Sequence, residues 1–200
     1  GLKQNYPFLF PKMYADSVWI NRMSDSIQKL QNKAVDSVFE DFSFTESEII
    51  NFYQHLKYYN KALKTPRLIT VLSDVDYRNK VVVTDSIVLI ALDTYLGAEH
   101  EFYSSFYDYI KQNLNKDQIV SDLAAAYAER LIYQPKRATF LEEMIYFGKQ
   151  LYLKDLLIPF KENNEKIGYF PEQYEWAQDN EFYIWQYFVE KELLYETDRK

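Results

Sequence analysis

Only four glycines stand in 200 residues, where an average globular chain of this length carries about 14. Glycine is the residue that enters positive φ without steric cost, so a chain this poor in it cannot supply the dense tight turns of an all-β fold. Helices joined by short polar connections are the architecture left open. The first of the four is Gly1, and Gly97, Gly148 and Gly168 cannot be assembled into either the GxGxxG or the GxxxxGK[ST] pattern. Phosphate-cradling loops, and nucleotide hydrolysis with them, are thereby excluded.

The absence of cysteine excludes disulfides, thiolate metal sites and cysteine nucleophiles. A formal charge of −7 with no Lys/Arg cluster excludes nucleic acid as a partner, because such a chain repels a phosphate backbone at long range. The longest clean apolar run, Ile87 to Leu92, is far shorter than a membrane span. The chain begins at Gly1 rather than methionine, which implies that an upstream segment has been removed, and any targeting signal would lie there.

Pro7 and Pro11 among Tyr6, Phe8, Leu9 and Phe10 predict an extended arm over residues 1–14. From Asp16 to Phe42 apolar residues recur at helical spacing, which predicts one long helix with a break. Thr45 and Glu48 have capping-box spacing for a second helix that should stop near Lys64, ahead of Pro66. Leu68 to Leu72, Val81 to Thr84 and Ile87 to Leu92 are β-branched runs and predict the strands, with Asp74 to Asn79 as a polar turn. A helical stretch follows over Phe102 to Asn113, and Asn115 with Gln118 marks the start of a helix over Asp117 to Tyr133, ended by Pro135. The segment Thr139 to Ile158 is apolar on almost every face, which predicts the buried centre of the domain. Lys161 to Lys166 reads as a surface loop. Pro171 opens a last helix that runs to Tyr195 with an interruption near Asp179 and Asn180. The expected fold is α+β, predominantly helical: a single domain over residues 15–200 with a small sheet around residues 67–92 packed by long helices.

His55 and His100 stand in no metal-ligand pattern, and a structural or surface role is expected for each. Among the carboxylates, Glu142 and Glu143 lie near the start of the most apolar helix. Burial there would raise their pKa, whereas acids at a helix N-terminus also simply favour its dipole. The 19 tyrosines and 14 phenylalanines are the least ordinary feature of the composition and suit both core packing and a partner surface.

The stretches IVLIALDTYLGAEHEFY (Ile87 to Tyr103), MIYFGKQLYLKDLLIP (Met144 to Pro159) and KIGYFPEQYEWAQDNEFYIWQYFVEKELLYETD (Lys166 to Asp198) resemble, in that order, the gliding motility lipoprotein GldB family. The first 65 residues fit by position and helical character without a motif of their own. The resemblance implies a non-catalytic cell-envelope lipoprotein, anchored through an acylated cysteine upstream of this chain and truncated at both ends, that supports gliding motility and type IX secretion. Its implied partners are other motility or secretion lipoproteins or envelope proteins, and no cofactor is implied. Tyr103, Tyr107, Tyr169, Phe170, Trp176 and Tyr183 are the candidate partner surface.

A more distant likeness is to zincin-like metalloproteases, in which a buried helix carries HExxH. In FLEEMIYFGK (Phe140 to Lys149) Glu142 or Glu143 could take the general-base position and Glu181 the later glutamate, but no histidine flanks them and no metal site results. The alternative function is therefore a degenerate hydrolase, or a peptide- or glycan-binding module, with a cleft lined by Glu142, Glu143 and Glu181.

Overall fold

The β-branched runs form a mixed sheet in the computed structural model, which describes Gln4, residues 14–134 and residues 136–197. Strands β1 (Arg67–Val71), β2 (Val81–Val83) and β3 (Ile87–Ala91) lie in the order β1-β3-β2. β3 runs parallel to β1, with Arg67 opposite Ile87 and Val71 opposite Ala91, and antiparallel to β2, with Val81 opposite Ile90. Only β3 has a neighbour on both sides, and its Val88 and Ile90 are fully buried.

The helices before the sheet are α1 (Asp16–Ser24), α2 (Ser26–Val38) and α3 (Ser43–Tyr59). The expected break in the first long helix falls at Asp25, which is extended and whose Oδ1 accepts from the backbone N–H of Ile27 and Gln28. The α3 boundaries differ from the expectation at both ends. The helix starts at Ser43, whose N–H donates to Asp41, so Thr45 and Glu48 lie inside it and face inward rather than forming a capping box. It stops at Tyr59 rather than near Lys64, because Asn60 leaves the helical region and its carbonyl accepts from Leu63 N–H in a turn.

After the sheet come α4 (Asp108–Lys111), α5 (Ile119–Leu131), α6 (Phe140–Leu157), α7 (Asn163–Ile167), α8 (Pro171–Asp179) and α9 (Glu181–Glu190). Asn115 accepts from Asp117 N–H at the entry to α5, Pro171 is the first residue of α8, and the break between α8 and α9 falls at Asn180, all as the sequence predicts. The architecture is α+β, predominantly helical, with one small sheet.

The centre of the fold is α5 and not α6. Ile119, Val120, Leu123, Ala124 and Ala128 are fully buried, and the alanines let α5 approach the sheet, α3 and α6 closely. In α6 only Tyr146, Lys154 and Leu157 are buried, while Phe147 and Tyr152 remain 56% and 65% exposed. Its all-round apolar character therefore serves only one face in packing. Lys161 to Lys166 is likewise no surface loop: it contains most of α7, and Lys161 and Lys166 are buried, Lys161 in ion pairs described below and Lys166 against Asp155 at 3.0 Å. The arm expected over residues 1–14 lies outside the described residues except for Gln4 and Tyr14, as does Pro135.

Gly168 ends α7 at φ +81°, and a Cβ there would stand 3.1 Å from the Asn113 side chain. Its carbonyl accepts from both Gln112 and Asn113, so the absence of a side chain lets the α4 region dock against the α7 turn.

Candidate functional site

The deepest polar feature is Asp93, fully buried just after β3. Its carboxylate accepts from Ser73 N–H at 3.0 Å, from Ser73 Oγ at 3.2 Å and from Val75 N–H at 2.7 Å. These bonds hold the β1–β2 loop where Asp74 and Val75 both take positive φ, +58° and +61°. A β-branched residue in that region is strained, and the three donors converging on one carboxylate are what hold it there. Asp74 in turn accepts from Arg22 and Gln28, tying α1 and α2 to the same loop.

A second polar seam crosses the core between α5, α6 and α7. Asp122 of α5 accepts from Lys80 Nζ at 2.5 Å and from Tyr95 Oη at 2.9 Å, and Lys80 lies over the Tyr95 ring. Lys154 of α6, 9% exposed, donates to the carbonyl of Lys166. Burial pushes the Lys154 ammonium down to about 8, with nearby Lys80 and Lys166 lowering it further and Asp122 and Asp155 opposing. Burial and the Asp122 carboxylate hold the Tyr95 phenol well above its ordinary value. Further along, Lys161 pairs with Glu48 at 2.8 Å and with Glu165 at 3.5 Å, and Glu48 is raised by burial against the pull of Lys161. Of these groups the sequence singles out Glu48 alone, and that as a helix cap rather than as a buried ion-pair partner. The available signal was a lysine isolated among leucines in α6, Leu151 to Leu157.

The predicted carboxylate cleft is not assembled. Glu142 completes a capping box with Thr139: its Oε2 accepts from Ala138 N–H at 2.7 Å and Thr139 N–H at 3.1 Å. Those backbone donors hold its carboxyl below the usual range, opposite to the rise that a buried general base needs. Glu143 lies 3.8 Å from Arg137 and lines a hollow of about 280 Å³ with Phe140, Leu193 and Glu196. Glu181 is exposed in the first turn of α9 and does not line that hollow. Among the described residues no group of three or more His, Asp or Glu side chains is placed to hold a metal. His55 Nδ1 lies 2.9 Å from Asn51 O within α3, and His100 Nδ1 accepts from Phe102 N–H to cap a turn.

The predicted partner surface divides. Tyr103 is fully buried and is removed from it, since its hydroxyl donates to Asp93 O and accepts from Leu96 N–H. Tyr107, Tyr169, Phe170, Trp176 and Tyr183 are exposed. The last four sit on or beside α8 and α9, where Phe182, Trp185 and Tyr187 join them. α9 has ten residues, seven of them apolar or aromatic, and none is buried. It touches the body through Phe188, whose ring meets Phe140 edge-on at 5.2 Å.

A family model described as gliding motility protein GldB matches residues 1–200, the whole chain. The chain belongs to the GldB gliding motility family. The match extends through the first 65 residues, where GldB character had no visible motif. The aromatic α8–α9 pair is thus a feature of a GldB-family chain concerned with gliding motility, and the family model carries a lipoprotein designation. Comparisons with curated proteins and with solved structures return no match. No described helix is long and apolar enough to cross a membrane.

Proposed function

We propose that this GldB-family protein acts in gliding motility as a non-catalytic, lipid-anchored envelope component that works through protein contacts and supports type IX secretion. The observation that carries the proposal is α9, an apolar helix with no buried residue, flanked by Tyr169, Phe170 and Trp176 at 44%, 48% and 61% exposure. Exposed aromatic rings gathered on one short helix and its approach are costly to leave in water and are typical of partner sites, where tyrosine and tryptophan dominate the binding energy. The non-catalytic part is supported by Glu142, whose Oε2 is engaged in helix capping, and by the separation of Glu181 from the Glu143 hollow.

The test is Trp176→Ser with Tyr183→Ser in the native bacterium, reading colony spreading, secreted protein and abundance of the variant. The expected result is lost spreading at normal abundance. Normal spreading would remove α8–α9 as the working surface. Glu143→Gln in parallel should leave motility unchanged, and a loss there would favour the hydrolase alternative instead.

A further inference from the structure

The outer edge of β1 adjoins a groove that the α9 surface does not involve. Arg67 N–H donates to Ser86 O, so in the pleat Arg67, Ile69 and Val71 point their backbone groups at β3. The N–H and C=O groups of Leu68 and Thr70 therefore point away from the sheet. Among the described residues no strand pairs with that edge. Beside it, Thr70 and Val71 of β1 line a hollow of about 410 Å³ together with the apolar Val35, Phe39, Phe42, Leu72 and Leu92. Asn32 and Leu72 also line a second hollow of about 550 Å³ towards α1, so the two hollows adjoin, and together they are called the trough.

Charge runs along the trough in a definite order. Lys29 lines the α1 end and Asp36 the other. Seven residues of helix separate them, a rise of about 10 Å, and an extended chain puts side chains four positions apart on one face about 13 Å from each other, within reach of the long Lys29 side chain.

We propose that this trough binds an extended segment of a partner protein by strand addition to β1. Backbone groups of Leu68 and Thr70 hydrogen-bond the segment, and apolar side chains at alternate positions enter the trough. An acidic residue of the segment meets Lys29, and a basic one four positions away, on the same face of the strand, meets Asp36. An unpaired strand edge selects extended backbone and no other conformation, and the apolar floor selects the alternation. Lys29 and Asp36 set the direction.

The probes are two fluorescein-labelled peptides of about seven residues, alternating valine and threonine, with glutamate and lysine four positions apart on the valine face in opposite orders. Fluorescence anisotropy should show one order binding about fivefold tighter than the other. Thr70→Pro removes one outward N–H without touching the β1–β3 ladder and should weaken binding about tenfold, whereas Thr70→Ala keeps that donor and should leave it unchanged. Trp176→Ser should also leave it unchanged, which separates this site from the α8–α9 surface. If Thr70→Pro does not fold, amide exchange of the wild type decides: Leu68 and Thr70 should exchange quickly when free and slowly with peptide. Absence of binding, equal binding of both orders, full binding by a folded Thr70→Pro protein, or amides already protected in the free protein would each overturn the proposal. The last result would mean that a segment of this chain or a second copy already fills the edge.

Discussion

Asp93→Asn tests whether one carboxylate holds the β1–β2 loop to the core. The substitution keeps size and one acceptor oxygen but turns an amide NH2 towards donors that now lack a partner. Three bonds are at stake, from Ser73 N–H, Ser73 Oγ and Val75 N–H, all to a side chain with no solvent exposure. Hydrogen bonds to a charged group contribute about 1.5–3 kcal/mol each when broken by removing one partner. The sum is an upper bound, because Asp74 is exposed and the loop can open to let water reach the freed amides. Desolvation of the carboxylate in the wild type offsets part of the remainder. The expected loss is about 3 kcal/mol, with release of Val75 from φ +61° and faster amide exchange at Ser73 and Val75 as its local signature. Urea denaturation followed by far-UV circular dichroism measures the first and hydrogen exchange the second. A loss below about 1 kcal/mol, with Val75 still protected, would refute the claim that the carboxylate imposes the strained loop.

Lys154 gives a pH signature. The unfolded lysine keeps its proton up to about 10.5 while the folded one releases it from about 8, so the unfolded chain binds more protons between these values and stability rises with pH across them. The rise is about 3 kcal/mol at most, and above about pH 10 the raised phenols of Tyr53, Tyr95 and Tyr103 oppose it, since unfolding lets them ionise. Urea titrations at stepped pH should therefore show the rise in wild type and a flat profile in Lys154→Met. Lys161→Met should cost about 3 kcal/mol, because it leaves Glu48 buried without its cation. Adding Glu48→Leu should restore most of that loss in the same denaturation assay, and failure to recover would show that the pair itself, rather than its broken half, stabilises the fold.

Local chemistry was legible where a residue acts on its own neighbours. The β-branched runs end within one residue of the strands, and Pro171 and Asn180 mark helix breaks because a ring or side chain acts on the adjacent backbone, whereas the break in the first helix was expected without its place, Asp25. What depends on packing between distant segments was not legible. Two apolar helices compete for the place beneath the sheet, and hydropathy favours α6. The winner is α5, because Ala124 and Ala128 permit an approach that the bulky Phe147 and Tyr152 of α6 do not. Lys154, Lys161 and Lys166 look solvated by residue type, and partners far along the chain, Glu48 for Lys161 and Asp122 near Lys154, join local ones in bringing them inside.

The aromatic excess divides on the same principle. Tyr95 and Tyr103 are fully buried, and Tyr127 nearly so; each places its hydroxyl on a partner, Tyr127 on the half-buried Tyr53. A phenol without such a partner is disfavoured inside, and nothing in its own neighbourhood reveals whether one exists. Phe102-Tyr103 and Phe106-Tyr107 are the same dipeptide four residues apart. Tyr103 reaches Asp93 O and Leu96 N–H and is buried, while Tyr107 is 72% exposed and stacks on the equally exposed Tyr109. The core is thus already supplied with the aromatic rings whose polar ends it can satisfy. The rings of α8 and α9 are surplus to it, as are exposed rings such as Tyr58, Tyr109 and Tyr152 elsewhere, and it is the α8–α9 set that the proposed partner surface would use.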